Sequence, residues 1–232
     1  MSANIIISFD GSENDHDALA LGRLLAQSTG GEVALAYVRH AHESDAARER
    51  AAAQDATAIL ERGAQWLGAP ETERHVVNNA STSEGLAQLA QEHAADVIVF
   101  GSDWHTTPGH VQPLQSASHL LEGGRTAVAI AAAGLRERKD AQLAHVALPG
   151  GEVDPAARAT AEAFAGRAGQ PLALPTQEQV DLLVVGSRPG STEGRVSLSA
   201  AAEYLVETTT ANVLVLARGT AIGVATRNSV TA

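Results

Sequence analysis

The chain has 232 residues, enough for one large domain or two modest ones with a real core. Hydrophobic residues make up 44% and charged residues 19%, in the range of ordinary globular proteins, while aromatics are only 3%, so the core is expected to be aliphatic. A formal net charge of −11, with Lys and Arg scattered, argues against a nucleic-acid or anionic-membrane surface.

Asn4 to Phe9 (NIIISF) is a short β-branched run that ends in DGSE, a strand followed by a tight turn. From Asp15 the period changes: Ala18, Leu21, Leu24 and Leu25 recur at helical spacing until Gly30-Gly31. Glu32 to Val38 reads as strand, 44–67 as a long amphipathic helix and ERHVV (73–77) as strand. A helix is predicted over Thr82 to His93 and a strand over Asp96 to Phe100. The polar loop GSDWHTTPGHVQPLQ (101–115), a helix over Ser116 to Glu122 and a last strand, TAVAIA (126–131), follow. Alternating strands and helices with buried-looking strands predict an α/β fold with a doubly wound parallel sheet. Ligands of such sheets bind beyond the carboxyl ends of the strands, where DGS and the 101–115 loop both lie.

An internal repeat sets the rest. Shifted by 85 residues, DVIVFGS (96–102) falls on DLLVVGS (181–187), and the match runs without a gap to Gly134 and Gly219. Shifted by 139, FDGSEND falls on LPGGEVD, and Gly30 on Gly169. The chain therefore reads as a tandem repeat, 1–135 and 136–232, whose second unit is shortened by 54 residues, corresponding to about Ala36 to Ala90. That unit is expected to keep its first, fourth and fifth strands, with a second strand at PLAL (171–174) and PTQEQ (175–179) bridging the gap. The final strands, TAVAIA and ANVLVL, are placed at sheet edges, which invite pairing.

These motifs resemble the universal stress protein family in its tandem form: DGSE after the first strand, DVIVFGS and DLLVVGS before a long loop, then a short helix and an aliphatic strand. The resemblance implies a Rossmann-like fold of the adenine-nucleotide-binding type. It also implies pairing of final strands within the chain as a pseudo-dimer, or between chains as a homodimer, and a protein partner of unknown identity. In members that bind ATP, an Asp ends the first strand, the backbone after the second strand meets the adenine, and a loop of glycines closed by Ser or Thr holds the phosphates. Glycines there let backbone amides approach the anion.

Carried over by position, the cofactor-binding candidates are Asp10, Val38, Gly101, Ser102 and Gly109 in the first unit, with Gly186 and Ser187 in the second. The pattern is incomplete. Trp104 and Pro189 stand at the second glycine, Leu114-Gln115 and Ser199-Ala200 at the closing pair, and Pro149 at Asp10's position. Pro189 also removes an amide donor.

Three readings follow. The first is a non-catalytic stress-response or regulatory protein with a degenerate site for ATP or another adenine nucleotide in the first unit. The second is an ATP-binding switch that hydrolyses ATP slowly through Asp10 and the 101–115 loop. The third, a small-molecule enzyme on the same sheet, lacks a paired acid, base and nucleophile. Ser102 and Ser187 lack the G-x-S-x-G elbow of a hydrolase and read as serines that cap the loop. His105, His110 and His119, with Asp103 and Glu122, read as polar loop residues, and no metal site is assigned. With no cysteine, no disulfide or thiolate chemistry exists. No basic leader or long apolar stretch is seen, so a cytoplasmic protein is expected.

Overall fold

A computed structural model of the chain describes residues 3–40, 45–175 and 179–224. Eight strands form one sheet: β1 (Asn4–Ser8), β2 (Glu32–Arg39), β3 (Glu73–Asn78), β4 (Val97–Phe100), β5 (Ala127–Ile130), β6 (Val146–Ala147), β7 (Leu182–Gly186) and β8 (Asn212–Leu216). Their order is β3-β2-β1-β4-β5-β8-β7-β6. All neighbours run parallel except β5 and β8, which pair antiparallel. Six helices cover the sheet: α1 (Asp15–Thr29), α2 (Ala46–Leu67), α3 (Thr82–Glu92), α4 (Gln115–Leu121), α5 (Pro155–Ala168) and α6 (Ala200–Thr208). The doubly wound α/β fold predicted from periodicity is the observed one.

Two aliphatic layers sandwich the sheet. Leu19, Leu21 and Leu25 of α1, Leu60 of α2 and Phe164 of α5 pack on one face with Ile5, Ile7 and Val184. Leu86 and Leu89 of α3, Leu120 of α4 and Val206 of α6 pack on the other with Ile6, Ile98 and Val213. Successive strand residues serve opposite layers, as the two-residue pleat requires. Helix ends follow their local chemistry. Asp45 caps α2 through Oδ1, and α1, α2 and α5 each stop at a left-handed glycine, Gly30, Gly68 and Gly169. The predicted start of α2 at residue 44 lies outside the described residues.

At the middle of the sheet the two final strands meet. Each final strand takes the other as its neighbour, so β5 and β8 are interior, and the sheet ends at β3 and β6. Ala129 stands opposite Leu214, its own counterpart 85 residues on, with Val128 opposite Val215 and Ile130 opposite Val213. This register gives the junction a local two-fold axis through the Ala129–Leu214 pair. Asn212 adds a side-chain tie, its Oδ1 accepting from the Ala132 amide at 3.0 Å. At the far edge β6 is two residues long, and PLAL contributes one parallel bridge, Ala173 to Ala147. Part of the PTQEQ connection, 176–178, lies outside the described residues.

Candidate functional site

The strand order reverses between β1 and β4, and the loops after them meet at their carboxyl ends. Asp10 is exposed there. Its Oδ1 accepts the Ser12 amide at 2.8 Å, the Asx turn that holds DGS, and its own amide donates to Asp15 Oδ2 at 2.6 Å. Asp15 opens α1 and is buried. Burial, and after it the Asp10 charge, holds its carboxyl well above the usual carboxylate range. Asp17, fully buried two residues on, accepts the amides of Gly134 (2.9 Å) and Arg136 (2.7 Å) and an Arg136 guanidinium N–H (2.8 Å). Of the three carboxylates at this helix start, Asp10 alone is exposed, while Asp17 is offset by the Arg136 guanidinium.

Gly101 and Ser102 sit at the base of the loop. A methyl at Gly101 would run into the carbonyl oxygen of Asn14, so the glycine lets the start of α1 lie against β4. Asn14 completes that contact, its Nδ2 donating to the carbonyls of Ser102 (3.0 Å) and Asp103 (2.9 Å). The Ser102 hydroxyl is buried, donates to Ala131 O at 2.7 Å and accepts the Gln112 amide at 3.2 Å. Gly109 takes a left-handed φ of 86°, open to glycine at little cost, and its amide donates to Ala133 O at 2.7 Å. Four further loop amides close inside the loop: Asp103 to Gln112 O, His105 to Asp103 Oδ1, Thr106 to Asp103 O and His110 to Thr107 O. Trp104 is 74% exposed and stacks on His105, with ring centroids 3.3 Å apart. Val38 is buried near the end of β2, in register with Val77 of β3 and against the α3-side core.

The 186–200 loop repeats the backbone and serine bonds of this scheme. Ser187 Oγ donates to Leu216 O at 2.8 Å and accepts the Ser197 amide at 3.0 Å. The Arg188, Ser191, Gly194 and Arg195 amides donate to the carbonyls of Ser197, Arg188, Arg218 and Thr192. Every donor and acceptor lies 85 residues after its partner in the first loop. A methyl at Gly186 would crowd the β-carbons of Ala157 (2.8 Å) and Asp154 (2.9 Å) at the start of α5. Asp154 caps α5 through the Ala156 amide (2.8 Å) and holds the Gly219 amide at 3.0 Å.

Asn14, Asp15, Asp17 and Asp154 escaped the sequence reading. The available signal was three acidic or amide residues in the first turn of a helix that follows the first strand. The histidines read as loop residues behave as such: His105 is largely exposed beside Asp103 at 3.4 Å. Among the described residues, the His and carboxylate side chains that do converge are Glu73, His75 and His93, at the opposite end of the sheet. Burial pushes His75 below the usual histidine range, Glu73 opposes that shift and His93 adds to it.

Comparison with known proteins fits this architecture. The universal stress protein family model matches residues 1–118, just over half of the chain. The chain belongs to the universal stress protein family. Among solved structures, a universal stress protein from Archaeoglobus fulgidus superposes with a TM-score of 0.72 at 13% identity, covering 94% of this chain and 100% of that one. A putative universal stress protein from Pseudomonas aeruginosa gives a TM-score of 0.60 at 15% identity over 93% of both chains. A functionally unknown protein from the same species gives 0.56 at 15% identity, over 93% of this chain and 92% of that one. At these identities the likeness establishes the fold. No curated protein matches the sequence.

Proposed function

We propose that this universal stress protein is a non-catalytic, cytoplasmic stress-response protein of tandem form, whose adenine-nucleotide site is degenerate. The observation that carries the reading is the internal closure of the 101–115 loop. A phosphate-binding loop works by presenting unpartnered amides to the anion. Here the Gly109 amide is engaged by Ala133, and those of Asp103, Thr106 and His110 by the loop itself. Asp10, exposed at the turn before α1, places a carboxylate where a polyphosphate would need positive potential. The serines that might have served as nucleophiles are buried as hydroxyl bridges. No helix among the described residues is long and apolar enough to cross a membrane.

The test is titration of the full chain with ATP and magnesium, followed by calorimetry and thermal melting. The expected result is an unchanged melting temperature at millimolar ATP and phosphate release no faster than in buffer. A ligand at about 100 times its dissociation constant adds roughly 2.7 kcal/mol, which a melt detects readily. Saturable binding that is lost in Asp10→Ala would instead establish the switch built on Asp10 and the 101–115 loop.

A further inference from the structure

We propose that Glu73, His75 and His93 form a site for a divalent transition-metal ion of the zinc class, at the end of the sheet opposite the nucleotide crevice. Glu73 and His75 are two apart on the edge strand β3, so the pleat brings both side chains to one face. His93 ends α3 and comes to the same face from above. One ligand atom from each residue lies within 4.8 Å of the other two. His75 Nε2 is 3.3 Å from Glu73 Oε1, His93 Nδ1 is 3.9 Å from the same oxygen, and the two imidazole centroids are 4.3 Å apart.

Two further observations point to a cation. His75 Nε2 is buried and makes no hydrogen bond, since the Glu73 carboxylate that faces it at 3.3 Å lies outside hydrogen-bonding geometry. Beside it lies a cavity of about 440 Å³, lined by Glu32, Glu71, Glu73 and His93, which concentrates negative charge at its wall. Two imidazoles and one carboxylate form a borderline donor set that suits zinc, and the cavity leaves room for water as a fourth ligand. The ion would tie the edge strand β3 to the end of α3.

Zinc chloride titrated into chelator-treated, tag-free full chain should give saturable binding of one equivalent, and cobalt(II) should give visible d–d absorption. His75→Ala and His93→Gln should each weaken zinc binding by at least about tenfold, the loss that even an outer-shell change causes at a metal site. His93 is partly exposed, so His93→Gln retains the fold, which far-UV circular dichroism verifies. Glu73→Gln, on a largely exposed residue, should weaken binding without loss of structure. Zinc should raise the melting temperature of the unaltered chain and leave that of the His93→Gln variant unchanged. Absence of saturable binding overturns the proposal. So does zinc affinity that survives His93→Gln and Glu73→Gln together, or that falls instead with His105→Ala.

Discussion

The 101–115 and 186–200 loops differ at ten of their fifteen positions, yet share one backbone hydrogen-bond scheme. Of the nucleotide pattern they retain Gly-Ser at the entry and a glycine seven residues after the serine. Each retained residue has a structural duty in both places. The entry glycine admits a helix start, the serine bridges the loop to the last strand, and the inner glycine supplies a left-handed turn. The retained half of the nucleotide pattern is therefore the half that the fold itself requires.

The approaches to the two loops are where the halves diverge. Behind the first loop Asp10 and Asp15 lie together, and Asp17 helps to fasten the segment after β5 through two amides and a guanidinium. Behind the second, Asp154 both caps α5 and holds the segment after β8, with Pro149 where Asp10 would be. Asp17→Ala is expected to have the largest effect, about 3 kcal/mol, because it strips a fully buried partner from a charge and two amides. Asp154→Ala should cost about 1–2 kcal/mol, the range of a lost helix cap. Urea unfolding of both variants measures the gap, and equal losses would abolish the contrast.

The serines probe the similarity instead. Ser102→Ala and Ser187→Ala each leave a part-buried amide without its partner and remove a donor from a strand-end carbonyl, at about 1 kcal/mol apiece. The two losses should agree closely, and should add in the double variant if the loops are independent. A loss confined to Ser102 would show that the second loop is held by something other than its serine.

Asp15 gives the first half a pH dependence. Its folded-state pKa is raised, by burial first and the Asp10 charge second, so the native state holds its proton more tightly than the unfolded chain. The group then lowers stability as pH rises from the ordinary carboxylate range, near about 3.9, through the raised value. Asp15→Asn should therefore raise the melting temperature at neutral pH, and the gain should shrink as the pH falls toward 4. Asp10→Asn should act in the same direction but less, since it removes only the lesser cause. A gain that grows on acidification would refute this assignment.

Much of the fold was legible because its signals are local. Period-two and period-3.6 runs set β1 through α4 to within a residue or two, and the 85-residue repeat located β7, α6 and β8. The pairing of β5 with β8 was expected from the family resemblance and not from these local signals, since a short aliphatic strand reads alike whether it ends a sheet or joins two. The site was legible only as positions. That Gly101 faces Asn14, or that the Gly109 amide points at Ala133, depends on contacts more than twenty residues apart in sequence. Glu73, His75 and His93 were invisible for the same reason, as a strand pair and a helix end brought together by folding.

The smallest expected effect bears most directly on the comparison. Trp104 and Pro189 occupy the same place in the two loops, and from sequence a tryptophan in place of glycine looks like an obstruction to phosphate. In the folded chain the Trp104 side chain lies largely in solvent, away from the engaged amides. Trp104→Gly should then change stability by no more than about 0.5 kcal/mol. It should also leave ATP binding undetectable by calorimetry, because removing an exposed ring frees neither the Gly109 nor the Thr106 amide. Appearance of ATP binding in this variant would mean that the loop can reopen once the ring is gone, and that Trp104 rather than internal closure separates it from a working phosphate loop.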